Sequence, residues 1–162
     1  MSRKSKRGAS TSHLVIGWRE WVQLPTLDVP WIKCKVDTGA RSSCLHAFDR
    51  ELFEREGAQW IRFSVHPEQR KQKPTIACEA PVAEFRKVRS SNGQTEVRPV
   101  ILSEAILCGK RWEIELTLSN RDEMGFRMLL GREAIKGRFL VDPANSFYSD
   151  VPPEKIKRRK SI

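Results

Sequence analysis

Long apolar runs are missing from this 162-residue chain. None approaches the ~18 consecutive apolar residues that a membrane-spanning helix needs. Histidine is scarce: His13, His46 and His66 are all there is, and no H-E-x-x-H pair occurs. The common helical metalloprotease signature is therefore excluded. The cysteines Cys34, Cys44, Cys78 and Cys108 include no C-x-x-C pair. They read as reduced core thiols rather than a disulfide frame. No glycine-rich phosphate loop is present, so any ATP dependence would have to come from a partner. Residues 1–13 are basic and serine-rich without an apolar stretch, unlike a secretory signal. The expectation is a cytoplasmic protein that enters no membrane and carries no metal or cofactor.

The formal charge is +10, and most of the excess sits at the two ends. Arg3, Lys4, Lys6 and Arg7 charge the start; Lys155, Lys157, Arg158, Arg159 and Lys160 charge the finish. Between them, acids and bases nearly balance. The organisation expected is a single domain over residues 14–151 with flexible basic tails at 1–13 and 152–162. Such tails suit acidic surfaces, ribosomal RNA or an acidic protein, and no specific nucleic-acid reading by the core is expected.

Between the tails the pattern is mostly β. Ile61, Phe63 and Val65 alternate with polar residues, and so do Trp112, Ile114, Leu116 and Leu118 along residues 111–118. In the second run Arg111, Glu113, Glu115 and Thr117 are expected to face out. Gly109-Lys110 predicts a hairpin turn back to the apolar run at residues 100–107, and Ser91-Asn92-Gly93 predicts another turn. Helical signal is confined to residues 48–56, ended by Gly57, and to Arg132–Lys136, stopped by Gly137. Many short strands punctuated by Gly, Pro and Asn give an all-β fold, a closed or nearly closed barrel with one or two short helices.

Chemistry concentrates at Trp31-Ile32-Lys33-Cys34-Lys35-Val36-Asp37-Thr38-Gly39-Ala40. Ile32, Cys34 and Val36 alternate with Lys33, Lys35 and Asp37, so a strand runs into Asp-Thr-Gly and releases Asp37 on its polar side. Gly39 permits a tight turn, and Thr38 is placed to hydrogen-bond locally and fix it. Where two such carboxylates meet, they share one proton; the ionised member takes a proton from water while the protonated one polarises a peptide carbonyl. Alone, Asp-Thr-Gly occurs by chance in roughly a few per cent of chains this long.

A second signature, Met128-Leu129-Leu130-Gly131-Arg132-Glu133-Ala134-Ile135, is an apolar strand, a glycine and a short helix. Together the two resemble the retropepsin family, in which an apolar-apolar-Gly strand crosses behind the Asp-Thr-Gly loop. The chain is more closely similar to the bacterial retropepsin-like family known as ATP-dependent zinc proteases. The similarity runs through residues 16–22, Lys35–Ser43 with Leu45-His46-Ala47, Ser90–Gly93 with Arg98–Ile101, Asn120-Arg121, and Met128–Arg132. This resemblance implies a retropepsin-like acid-protease barrel with Asp37, Thr38 and Gly39 as the catalytic triplet. It further points to the RimB-like branch, linked to the RimK-like ATP-grasp ligase that adds glutamates to the tail of a ribosomal protein. The implied activity is removal of that C-terminal oligoglutamate.

An oligoglutamate substrate calls for cations beside the active carboxylate, since Arg–carboxylate pairing supplies both strength and orientation. Lys35, Arg41, Arg89, Arg98 and Arg121 are the candidates. One Asp-Thr-Gly per chain implies a two-fold homodimer; in a monomer, Glu20, Glu96, Asp122 or Glu123 would have to support Asp37, with Arg41 or Arg121 as electrophile. Two rival readings remain. One is an inactive retropepsin-fold module docking on the ribosome. The other is a zinc hydrolase, for which Cys34, Cys44 and His46 are the donors at hand, at a spacing that fits no standard zinc site.

Overall fold

The alternation seen around Asp37 is what builds the centre of the molecule. In the computed structural model, which describes residues 13–68, 74–89, 92–120 and 125–153, strand β3 spans Val29–Asp37 and buries Val29, Ile32, Cys34 and Val36 while Lys33, Lys35 and Asp37 stay partly exposed. Its neighbours in the same sheet are β2 (Arg19–Leu24), β4 (Ser43–His46), β9 (Thr95–Leu107), β10 (Lys110–Ser119) and β11 (Met128–Gly131). Of these, β2, β4 and β11 are buried more continuously, β11 along its whole length.

These strands hydrogen-bond in the order β10-β4-β11-β3-β2-β9, and β9 pairs back onto β10, which closes a six-stranded barrel. Strand β8 (Glu84–Arg89) extends β9 as a hairpin beyond the closure. A further antiparallel sheet of β5 (Phe48–Arg55), β6 (Ala58–Val65) and β7 (Ile76–Pro81) covers one side. Strands β1 (Leu14–Gly17) and β12 (Phe139–Asp142) form a parallel pair. The one α-helix among the described residues, α1, is the single turn Arg132–Ile135.

One continuous core joins barrel and covering sheet. Leu24, Ile32, Leu45, Ile101, Leu116, Leu118, Met128 and Leu130 fill the barrel, and Ile61, Phe63 and Val65 close it from the side. Each such fully buried side chain contributes about 2 kcal/mol.

Two local expectations need correction. Where a helix is expected over residues 48–56, Phe48–Arg55 form strand β5 and Glu56 enters a turn. Asp49 takes φ +51°, and Glu56 and Gly57 take φ +52° and +79°. Two consecutive left-handed residues make the tight turn of a hairpin, so Gly57 reverses the chain into β6. The β9–β10 turn falls on Cys108-Gly109 (φ +54° and +73°), one residue earlier than predicted, and Lys110 already belongs to β10. Thr117 lies on the outer face with Glu113 and Glu115, as expected, but is buried there. Its hydroxyl is turned onto the neighbouring strand β4, where it donates to the Ser43 carbonyl at 3.2 Å.

The predicted Ser91-Asn92-Gly93 turn lies partly outside the described residues. Within them, Gly93 has φ +86° and Asn92 Oδ1 accepts from Gln94 N at 3.0 Å, an Asx turn. The predicted tails, 1–13 and 152–162, lie almost wholly outside the described residues.

Candidate active site

Strand β11 lies between β3, to which it is parallel, and β4, to which it is antiparallel. Its register places Gly131 against Asp37 and Leu129 between Lys35 and Cys44. A Cβ on residue 131 would stand 2.5 Å from the Ser42 carbonyl and 3.0 Å from the Ala40 oxygen. Only glycine lets the Asp-Thr-Gly-Ala loop fold back over β11 this closely.

That loop is held from several directions. Asp37 Oδ1 accepts from Gly39 N at 3.0 Å, and Ala40 N donates to Asp37 O at 3.3 Å. The first turn of α1 donates Arg132 N to Ala40 O (2.7 Å) and Glu133 N to Arg41 O (3.1 Å). Arg132 also reaches back with Nη1 to the Thr38 carbonyl at 3.0 Å. Thr38 itself is exposed and is fixed through this carbonyl, so the clasp comes from the second signature. Beneath, Gly131 N donates to Ser43 Oγ (2.9 Å) and Thr117 Oγ1 donates to Ser43 O (3.2 Å). The carboxylate is thus mounted on rigid backbone, as a reacting group must be.

Asp37 opens into a cleft of about 980 Å³. Its floor is the outer face of β10, β4 and β11, with Glu113, Glu115, Thr117, Cys44 and Leu129 in line. One wall is the Asp37–Ser43 loop. The other is the β8–β9 hairpin, which supplies Glu84, Arg86, Lys87, Arg89 and Arg98. Arg138 and Trp112 line it too, with the guanidinium 5.5 Å from the indole centroid.

The structure gathers Asp37, Gly39, Arg41, Arg89 and Arg98 around this cleft. Arg98 is 3% exposed, with Nε on Glu96 Oε1 at 2.9 Å and Nη1 on Cys44 Sγ at 3.4 Å. Lys35 is half-buried on β3 and is not among the lining residues, and Arg121 lies outside the described residues. Ser43, Thr117 and the cation Arg138 were missed from sequence. For Thr117 the period-2 pattern gave the face but not the burial, and Arg138 lies beyond both signatures.

The acids proposed from sequence as partners for Asp37 are engaged elsewhere. Glu20 is fully buried and accepts from Gly17 N (2.7 Å), Tyr148 N (2.9 Å) and Ser149 N (3.0 Å). Glu96 holds Arg98. Asp122 and Glu123 lie outside the described residues. The zinc donors do not converge. Cys34 and Cys44 stand on strands separated by β11, His46 Nε2 lies 3.2 Å from the Asn120 carbonyl, and no group of three His, Cys, Asp or Glu among the described residues is arranged to hold a metal. Burial pushes the Cys34 thiol far above its ordinary value, with the nearby Glu20 adding to it.

A closed six-stranded barrel that delivers Asp-Thr-Gly into a cleft, backed by a Leu-Leu-Gly strand, defines the retropepsin-like class. The chain belongs to the RimB-like family, described as retropepsin-like aspartic endopeptidase RimB, whose profile matches residues 15–152. Two relatives are each named "Probable alpha-L-glutamate ligase". The one from Shewanella pealeana is 50% identical over 138 residues, covering 85% of this chain and 30% of that protein. The one from Parasynechococcus marenigrum is 52% identical over 136 residues, covering 84% and 29%. The chain therefore spans about a third of the length of these relatives. A crystal structure of a Legionella pneumophila protein of unknown function is also similar, at 30% identity and a TM-score of 0.71, covering 85% of this chain and 98% of that one.

Proposed function

We propose that the chain is an aspartic-type endopeptidase that hydrolyses peptide bonds in acidic, glutamate-rich protein tails. The observation that carries this is Asp37, clamped at a strand end in a cleft whose facing wall presents Lys87 and Arg89, with Arg98 buried against Glu96 behind them, and whose own loop presents Arg41. The Asp37 carboxylate takes a proton from water, and the water oxygen attacks the scissile carbonyl carbon. A protonated partner acid gives its proton to the carbonyl oxygen. The tetrahedral intermediate then expels the amine, which takes the proton Asp37 has gained, while a hydroxyl of the intermediate returns its proton to the partner acid as the C–N bond breaks. In this reading Asp37 of a second copy of the chain supplies the partner acid.

Charge selects the substrate. A side-chain carboxylate at each successive residue finds a cation on one wall or the other, and such pairs orient as well as attract. The relatives' name gives this chemical sense, since a glutamate ligase makes the kind of chain such a cleft would bind, and a ribosomal protein's C-terminal oligoglutamate is the proposed natural substrate. The test offers the protein two otherwise identical substrates carrying C-terminal oligoglutamate or oligoglutamine and follows tail masses by mass spectrometry. The reading predicts shortening of the glutamate tail, with the glutamine tail at least tenfold slower. Equal rates on both, or no cleavage of either, would overturn it.

A further inference from the structure

Arg86 projects from β8 into the cleft and holds two of the protein's own carboxylates at once. Its Nη2 lies 2.5 Å from Glu84 Oε2 on the same strand, and its Nη1 lies 3.0 Å from Glu115 Oε1 on β10. All three side chains line the cleft that Asp37 opens into. The Arg86–Glu115 contact is not local: it joins the hairpin wall to the floor across β9. A guanidinium gripped by two carboxylates in a row is what a glutamate-rich tail would itself offer that cation.

We infer that Arg86 marks a substrate carboxylate subsite and that Glu115 fills it until a substrate glutamate takes its place. This rests on the proposed function and names a specificity-determining part of the same cleft. Exposure makes the exchange feasible. Glu115 keeps 53% of its side-chain surface and Arg86 keeps 28%, and an ion pair this open to water is worth little in net terms. Swapping one carboxylate for another therefore changes few interactions, and Glu115 is freed into solvent with little loss. A neutral tail cannot make the swap, because it would leave Glu115 in place and its own amide beside an ion pair. Glu115 thus screens the cleft against neutral chains while acidic chains displace it. Glu113, two residues along the same strand, also lines the cleft but has no ion pair with Arg86. It supplies the control for charge acting at a distance.

The experiment titrates a fluorescent pentaglutamate peptide into the full chain carrying Asp37→Asn, so that binding is read without turnover. Glu115→Gln is compared with Glu113→Gln, each alone and with Arg86→Gln. The inference predicts that Glu115→Gln tightens binding by about three- to fivefold, that Glu113→Gln has less than half that effect, and that the gain from Glu115→Gln vanishes when Arg86 is Gln. Equal tightening by both glutamine variants, or a gain that survives loss of Arg86, would overturn it. Failure of the proposed function is read separately, as absence of Asp37-dependent cleavage by the otherwise unaltered chain.

Discussion

Gly131 stands against Asp37 in the parallel register of β11 and β3, and the Ser42 carbonyl occupies the space a side chain at 131 would need. The glycine of the second signature is therefore a condition for the geometry of the first. Gly131→Ala forces Ser42 or β11 to move by several tenths of an ångström. Overpacking of this kind costs about 1–3 kcal/mol, and because the displaced element packs directly against Asp37, cleavage should fall at least tenfold. Paired thermal melts and cleavage assays check this; a variant with normal activity contradicts it.

Glu20 secures the far side of the barrel by accepting three backbone N–H groups, from Gly17, Tyr148 and Ser149. Glu20→Ala leaves those donors without their acceptor, at about 1–3 kcal/mol each where they remain dry. Glu20→Gln replaces one accepting oxygen by an N–H₂ that faces N–H groups. Both variants should lower Tm, by on the order of 10 °C for alanine, and should speed hydrogen exchange at Tyr148 and Ser149. Unchanged exchange there would contradict the assignment.

The Asp142–Tyr148 hydrogen bond titrates from both ends. Asn145, Tyr148 and the Ala144 amide hold the Asp142 carboxyl below its ordinary value, and Asp142 in turn raises Tyr148. A depressed acid contributes its stability fully above its unfolded value, near 3.8, and loses it as pH falls through the lower folded value. A raised tyrosine contributes fully below its unfolded value, near 10.0, and loses it as pH rises through the higher folded value. Asp142→Asn should abolish both effects, so the Tm gap between wild type and variant should be widest between the two values, close as pH falls through the Asp142 range, and narrow only by the Tyr148 share as pH rises through the tyrosine range. A constant gap across the whole range would contradict this.

Thiol reactivity should follow burial. Burial pushes Cys78 up to about 12 and raises Cys108 above its ordinary value. Since the thiolate is the nucleophile, both react slowly at pH 8. Cys108 is the one partly exposed thiol, the other three being buried. Timed alkylation read by peptide mass spectrometry should show Cys108 modified first and Cys34 and Cys78 only on unfolding. Early labelling of Cys34 would contradict the packing of β3.

Where local chemistry and tertiary packing agreed, the sequence was legible. Ile32, Cys34 and Val36 point inward because β3 has one dry face, and that parity alone places Asp37 on the wet one. Arg132–Ile135 forms its turn of helix where Gly131 and Gly137 bracket it. Residues 48–56 went the other way because their helix formers, Glu51, Leu52, Glu54 and Arg55, are recruited by β6. Arg62 pairs with Glu51, and Arg55 lies over Trp60 at 4.4 Å. Cross-strand contacts of that kind outweigh intrinsic preference and cannot be read from spacing. Thr117 failed for a related reason: a period of two identifies two faces but not that both are covered. The cleft's cations were legible in type, while their division between Arg98 on the hairpin wall and Arg41 on the facing loop depends on strand order that no single segment reveals.

Asp37→Asn tests the account most directly. The substitution is nearly isosteric and preserves the oxygen that accepts from Gly39 N, so the melting curve should stay within a few degrees of wild type. On a protein with a C-terminal oligoglutamate tail, wild type should release glutamate-containing fragments and the variant should release none above background at matched concentration. Cleavage by the folded variant at a rate comparable to wild type would contradict the account.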